Sequence, residues 1–197
     1  QISHLYELSE SGNKVLLCYG GGSIKKAGIY DEAVKILKEE DIEIFELSGI
    51  APNPKIESVR EGVKLCKEND IDMVLAIGGG SVIDCAKVVA AGACYDGDPW
   101  DLVITPRWIK KALPIYSVLT LSATGSEMDP FAVISDMSKN EKWGTSSEHM
   151  KPKMSILDPE YTYSVSKKQT AAGTADMISH ICENYFTNVK NADVQAR

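Results

Sequence analysis

The sequence contains no apolar run near the ~20 residues that a membrane-spanning helix needs. It also lacks any Cys-x-x-Cys pair, the Gly-x-Gly-x-x-Gly fingerprint and the Gly-Lys-Ser/Thr of a P-loop. Positive charge is scarce: 21 basic residues face 28 acidic ones, a net charge of −7. That balance is a poor footprint for binding nucleic acid or an anionic membrane, so small molecules or other proteins are the expected partners. The five cysteines (Cys18, Cys66, Cys85, Cys94, Cys182) are odd in number and scattered, which reads as buried, reduced thiols in a cytoplasmic protein. A reactive thiol is the alternative, and nothing near any of the five supports it.

What is present is ordinary for a globular chain. Its 197 residues, 44% hydrophobic with 15 glycines and 8 prolines, suffice for one good-sized core, or for one domain and the start of another. Gln1 opens it without a signal peptide, and the last residues run out in a helical pattern. The chain therefore reads as cut at its ends.

Two patterns alternate along the first part. Lys14 to Tyr19, Met73 to Ile77 and Ile115 to Leu119 are short, mainly apolar runs and read as buried strands. Ile42, Ile44 and Leu47 follow strand spacing, and Phe131 to Ile134 and Met154 to Leu157 are weaker strands. Helices fill the gaps: one capped by Asp31 with Ala33, Val34 and Leu37 on its face, one along Ile56, Val59, Val63 and Cys66, and one from about Ser81 to Cys94. Apolar strands alternating with helices predict an α/β fold with a mainly parallel, Rossmann-like sheet covered on both faces. After Leu157-Asp-Pro159 no strand pattern returns, and Ser166 is placed to cap a long helix. The expected division is an α/β domain over 1–159 and the opening of a helical domain over 160–197.

Several segments could carry chemistry. Gly78-Gly79-Gly80-Ser81 lies between a buried strand and a helix, where glycines let backbone approach a phosphate and the helix start offers free N–H groups. The alternative is a purely structural turn. Gly20-Gly21-Gly22-Ser23 ends the first strand in the same way. A dinucleotide fold often has a carboxylate there to hold the adenosine ribose. Uncharged residues with Lys25 and Lys26 just beyond would tolerate a 2′-phosphate, or would form a plain turn with two solvated lysines. Thr120-Leu-Ser-Ala-Thr-Gly-Ser-Glu127 follows the third strand and suits a loop lining a cleft, although ordinary loops share its composition. Asp176 and His180, four residues apart on one helical face, could share a divalent metal or simply pair with each other. His4 and His149 have no partner pattern and read as surface residues.

Taken together these segments resemble the iron-containing (group III) alcohol dehydrogenases, in particular their butanol dehydrogenase branch. The resemblance spans nearly the whole chain. It rests on Tyr19-Gly-Gly-Gly-Ser-Ile-Lys-Lys-Ala-Gly28, Pro52-Asn-Pro54, Gly78-Gly-Gly-Ser-Val-Ile-Asp84 with Lys87, Thr120 to Glu127, Leu157-Asp-Pro-Glu-Tyr161 and Asp176-Met-Ile-Ser-His180. It implies a nucleotide-binding α/β domain followed by a helical one, and hydride transfer between NAD or NADP and a small alcohol or aldehyde. It also implies one divalent metal, Fe²⁺ ahead of Zn²⁺, held by an Asp and three His. Asp176 and His180 match two of those ligands, and the other two would lie beyond Arg197.

By the same resemblance Gly79, Gly80 and Ser81 should touch the pyrophosphate, and Asp84 should lie toward the nicotinamide. Asn53, Thr120, Thr124, Lys142 and Tyr161 should be further cofactor contacts. Many members carry Asp where this chain has Gly20 to Ser23, which puts NADP slightly ahead of NAD. The resemblance, and nothing else in the sequence, suggests a homodimer. Two other readings remain open: a lyase similar to dehydroquinate synthase, using NAD and a metal, and a non-catalytic nucleotide-binding fragment if the chain ends at Arg197.

Overall fold

A computed structural model describes residues 1–186. The strands are β1 (Lys14–Tyr19), β2 (Glu43–Leu47), β3 (Met73–Gly78), β4 (Ile115–Leu119), β5 (Phe131–Asp136), β6 (Glu141–Ser146) and β7 (Met154–Ile156). Five of them form one all-parallel sheet in the order β2-β1-β3-β4-β7. The helices are α1 (Ser23–Lys26), α2 (Ile29–Glu39), α3 (Ile56–Asn69), α4 (Gly80–Ala93), α5 (Pro99–Ile104) and α6 (Lys167–Tyr185).

The continuous apolar runs are explained by two cores, one on each face of the sheet. Leu16 and Cys18 of β1, with Val74 and Ala76 of β3, point into a core shared with α3 and α4. Their neighbours Val15, Leu17, Met73, Leu75 and Ile77 point the other way, onto α2. Successive side chains in a strand alternate faces, so a strand buried on both must be apolar at every position. A 3₁₀ helix over Ile2–Ser11, not anticipated from the sequence, seals the α2-side core with Ile2, Leu5 and Leu8. Side chains three apart eclipse in that geometry, which matches the spacing of these three residues.

Three local expectations are corrected. Asp31 does not cap α2: the helix starts at Ile29, directly after Gly28, whose left-handed backbone (φ 77°) separates it from α1. Asp31 and Glu32 instead occupy the first turn, where carboxylates complement the helix dipole. Phe131 to Ile134 does form a strand, but it lies outside the main sheet. It pairs antiparallel with β6, a strand the sequence reading missed. Finally, all five cysteines are free, yet Cys94 is exposed and Cys182 half-buried. Burial holds the thiols of Cys18, Cys66 and Cys85 well above their ordinary value, to about 12 for the last two, so they are inert apolar fillers.

The chain divides into two compact units, Gln1–Thr162 and Tyr163–Arg197. In the second, the Ser166 side chain accepts a hydrogen bond from the Gln169 N–H and caps α6. Among the described residues no helix is long and apolar enough to cross a membrane.

Candidate functional site

The strand order fixes where a ligand crevice can open. From β1 the chain crosses to β2 on one side, whereas from β3 it crosses to β4 on the other. The crossover connections diverge between β1 and β3, and in open α/β sheets ligands settle at the carboxyl ends of the strands flanking such a point. Both glycine turns are there: Gly20 to Gly22 leaves β1, and Gly78 to Gly80 leaves β3 for α4.

The two turns use their glycines differently. A β-carbon at Gly21 would meet no atom within 4 Å, and Gly22 has a left-handed backbone (φ 98°). At Gly21 and Gly22 this first turn is open, with room that a ligand can fill, whereas a β-carbon at Gly20 would meet the Ile50 carbonyl at 3.3 Å. A β-carbon at Gly80, by contrast, would stand 2.3 Å from Oγ1 of Thr124. The loop after β4 therefore lies directly on the start of α4, and Gly80 is required by that contact. At Gly79 a β-carbon would meet Leu121 at 3.3 Å, and the backbone there is extended (φ −89°, ψ −172°).

Polar contacts draw several candidate residues together. The Thr120 N–H donates to the Gly78 carbonyl at 3.0 Å, tying the β4 loop to the β3 turn. The Asn53 N–H donates to Ser81 Oγ at 3.3 Å, and Asn53 Oδ1 accepts from Lys142 Nζ at 2.7 Å. Register explains the last contact. The Ser135 N–H donates to the Pro54 carbonyl at 2.9 Å, and Ser135 pairs with Lys142 across the β5–β6 hairpin. The hairpin thus carries Lys142 to the Pro52–Pro54 corner. Tyr161 is not drawn into this group; it packs against the α2-side core, where burial and then Glu32 push its hydroxyl up to about 12.

Asp84 sits one turn into α4. Its two oxygens accept from the Ser126 hydroxyl and, at 2.9 Å, from the Val133 N–H. Burial raises its pKa, and these bonds oppose that shift without cancelling it. Three residues on, Lys87 is fully buried, the one feature of this region whose role the sequence reading left unassigned. Its ammonium donates to Ser126 Oγ (3.1 Å), to the carbonyls of Asp129 and Phe131 (both 2.8 Å) and to Asp129 Oδ1 (2.9 Å). The signal was available: a lone lysine inside the otherwise apolar run Cys85 to Ala91 has to find buried acceptors.

In the second unit, Asp176 Oδ2 and His180 Nε2 are 3.6 Å apart and both side chains are about two-thirds exposed. That distance, like the 3.7 Å from His180 Nδ1 to Glu183 Oε2, is too long for a hydrogen bond. A carboxylate and an imidazole one helical turn apart are a fitting half-set for a divalent transition metal. Among the described residues, no group of three or more His, Cys, Asp or Glu side chains is gathered for a metal.

A doubly wound parallel sheet with its crevice bordered by glycine turns defines a Rossmann-like α/β domain. The chain belongs to the iron-containing alcohol dehydrogenase family, whose model matches residues 2–159. It is 60% identical over 189 residues to NADH-dependent butanol dehydrogenase A of Clostridium acetobutylicum, covering 96% of this chain and 49% of that protein. Over 199 residues it is 42% identical to NADPH-dependent aldehyde reductase YqhD of Escherichia coli, covering 100% of this chain and 51% of the reductase. The crystal structure of NADH-dependent butanol dehydrogenase A from Thermotoga maritima superposes with a TM-score of 0.89 at 50% identity, covering 94% of this chain and 47% of that one. The chain thus spans about half the length of the curated relatives it matches.

Proposed function

We propose that the protein carrying this chain is a metal-dependent oxidoreductase that moves a hydride between NAD(P)(H) and a small primary alcohol or aldehyde. The observation that carries the reading is the pair of glycine turns flanking the crevice between β1 and β3, one of them open and free of side chains. Names among the relatives, a butanol dehydrogenase and an aldehyde reductase, support the substrate class.

In this reading Gly78, Gly79, Gly80 and Ser81 receive the pyrophosphate at the start of α4, where unpaired N–H groups and the helix dipole favour negative charge. Gly21, Gly22 and Ser23 border the adenosine ribose. Asn53 and Lys142, already joined to each other and to Ser81, present an amide and an ammonium to the same ligand. Thr120 and Thr124 line the β4 side, Asp84 stands toward the nicotinamide, and Tyr161 is a more distant contact. Asp176 and His180 hold the metal, Fe²⁺ ahead of Zn²⁺.

When bound, the dinucleotide supplies or accepts the hydride and the metal draws electron density from the substrate oxygen. The work of this chain's own residues is orientation, which can lower a barrier by several kcal/mol, on the order of 7–11 in the best cases. The test is nicotinamide-linked turnover of butanal and short alcohols by the whole protein, with metal supplied. His180→Ala should lose metal and turnover together while keeping dinucleotide affinity. Retained metal content and rate in that variant would remove the metal role.

A further inference from the structure

Beside the open turn lies a cluster that the cofactor reading does not use. Glu46, near the carboxyl end of β2, accepts a hydrogen bond from the Tyr19 hydroxyl on one oxygen and from the Tyr30 hydroxyl (2.5 Å) on the other. Nζ of Lys25 is 3.8 Å from Glu46 Oε2, and it sits over the rings of Tyr30 and Tyr19 at 4.2 and 4.9 Å from their centroids. The two rings meet edge to face, 5.7 Å apart. Lys25 is therefore engaged by one carboxylate and two π-faces, contacts that each attract an ammonium.

The charges of the cluster are fixed near neutral pH. Burial pushes the Glu46 carboxyl up, but the two hydroxyls and Lys25 outweigh it and hold the group below its ordinary value. The Tyr30 hydroxyl is pushed up to about 12, chiefly by its bond to Glu46, and remains a donor. Glu46 and Lys25 then cancel.

Position makes this cancellation matter. Tyr19 is the last residue of β1 and Lys25 lies two residues beyond Ser23, so the cluster flanks the Gly20 to Ser23 turn on its β2 side. The sequence alone suggested that Lys25 could serve a 2′-phosphate. In the folded chain it is already occupied.

We propose that Glu46 is a specificity-determining residue: by holding Lys25 against Tyr19 and Tyr30 it withholds that cation from a phosphate on the adenosine ribose. The turn then admits NADH and NADPH without rewarding the phosphorylated form. This rests on the dinucleotide reading given above.

The test is calorimetric titration of the protein with NADH and with NADPH, at low and high salt. Glu46→Gln keeps an oxygen for a tyrosine hydroxyl and removes the charge. It should shift the NADPH-to-NADH affinity ratio toward NADPH by about three- to tenfold at low salt, and by less at high salt. The gain should vanish in the Glu46→Gln/Lys25→Met double variant, whereas Lys25→Met alone uncovers the Glu46 charge and should move the ratio toward NADH. A ratio within twofold of wild type in Glu46→Gln, or a gain that survives loss of Lys25, would overturn the proposal. So would a rise in the NADPH-to-NADH ratio in Lys25→Met alone, which leaves Glu46 in place. Dinucleotide binding with an unmoved ratio defeats this inference only; no binding of either dinucleotide to the unmodified protein defeats the site reading and this inference with it.

Discussion

The Lys87 ammonium lies 2.9 Å from Oδ1 of Asp129, with the lysine fully buried and the aspartate one-third exposed. Together with the bonds that Asp84 accepts from Ser126 and Val133, it makes one face of α4 a clasp for the loop after β4. Asp84 and Lys87 are three apart and therefore neighbours on that face. The glycine turn at the head of the same helix and the Thr120–Thr124 loop are thereby held in one rigid relation.

Lys87→Met should therefore cost stability even though it replaces a buried charge with an apolar side chain of similar length. Removing one partner of a buried pair leaves the other uncompensated, at about 3–5 kcal/mol when both are enclosed. Partial exposure of Asp129 lets water take over some of its bonds, so about 2–4 kcal/mol is expected. Denaturant unfolding of wild type and variant measures it, and a loss under about 1 kcal/mol would show that the clasp is idle.

The two glycine turns should respond oppositely to the same small change. Gly21→Ala adds a methyl group into open space and should stay within about 0.5 kcal/mol of wild type. Gly80→Ala drives a methyl into Thr124 and should cost about 1–3 kcal/mol. Adding Thr124→Ala, which removes the two nearest atoms, should recover part of that loss. Thermal unfolding of the three variants decides the matter, and equal effects at both glycines would contradict the packing described.

Asp98 should show itself in acid. Burial pushes its carboxyl up, but the Arg60 guanidinium and the Trp100 N–H, which it caps at the start of α5, outweigh burial and hold it below its ordinary value. A carboxyl with a lowered folded-state pKa contributes stability in full above its unfolded value, about 3.9, and loses it as pH falls through the folded value. Asp98→Asn should cost roughly 0.5–1 kcal/mol at neutral pH. Its deficit should shrink as both proteins are acidified below about pH 4. A deficit that stays constant with pH would remove the charge from the account.

Much of the fold was legible because burial on both faces makes β1, β3 and β4 apolar at nearly every position, and few other structures ask for that. The glycine turns were legible for the same reason: they end those runs. What escaped had no period to read. β6 is Glu-Lys-Trp-Gly-Thr-Ser, exposed along most of its length and defined by its pairing with β5 rather than by its own pattern. The start of α5 was readable in Asp98-Pro99, a cap followed by a first-turn proline, but its six residues are too short for a helical stripe. Glu46 was invisible as a partner of Lys25, because 20 intervening residues separate a pair that only the fold brings together, β2 beside β1 and α1 directly after β1.

The central claim is that the crevice beside Gly79 receives the pyrophosphate of a nicotinamide dinucleotide. Gly79→Val tests it most directly. The backbone there is already extended, a conformation valine favours, and the nearest obstacle to a β-carbon is Leu121 at 3.3 Å, so the fold should persist with little change in circular dichroism or melting. Calorimetric titration with NADH and NADPH should show saturable binding to the wild type and a loss of at least about a hundredfold in the variant, since the added side chain occupies the phosphate's approach to the α4 N–H groups. A folded Gly79→Val protein that binds both dinucleotides as the wild type does would contradict the account.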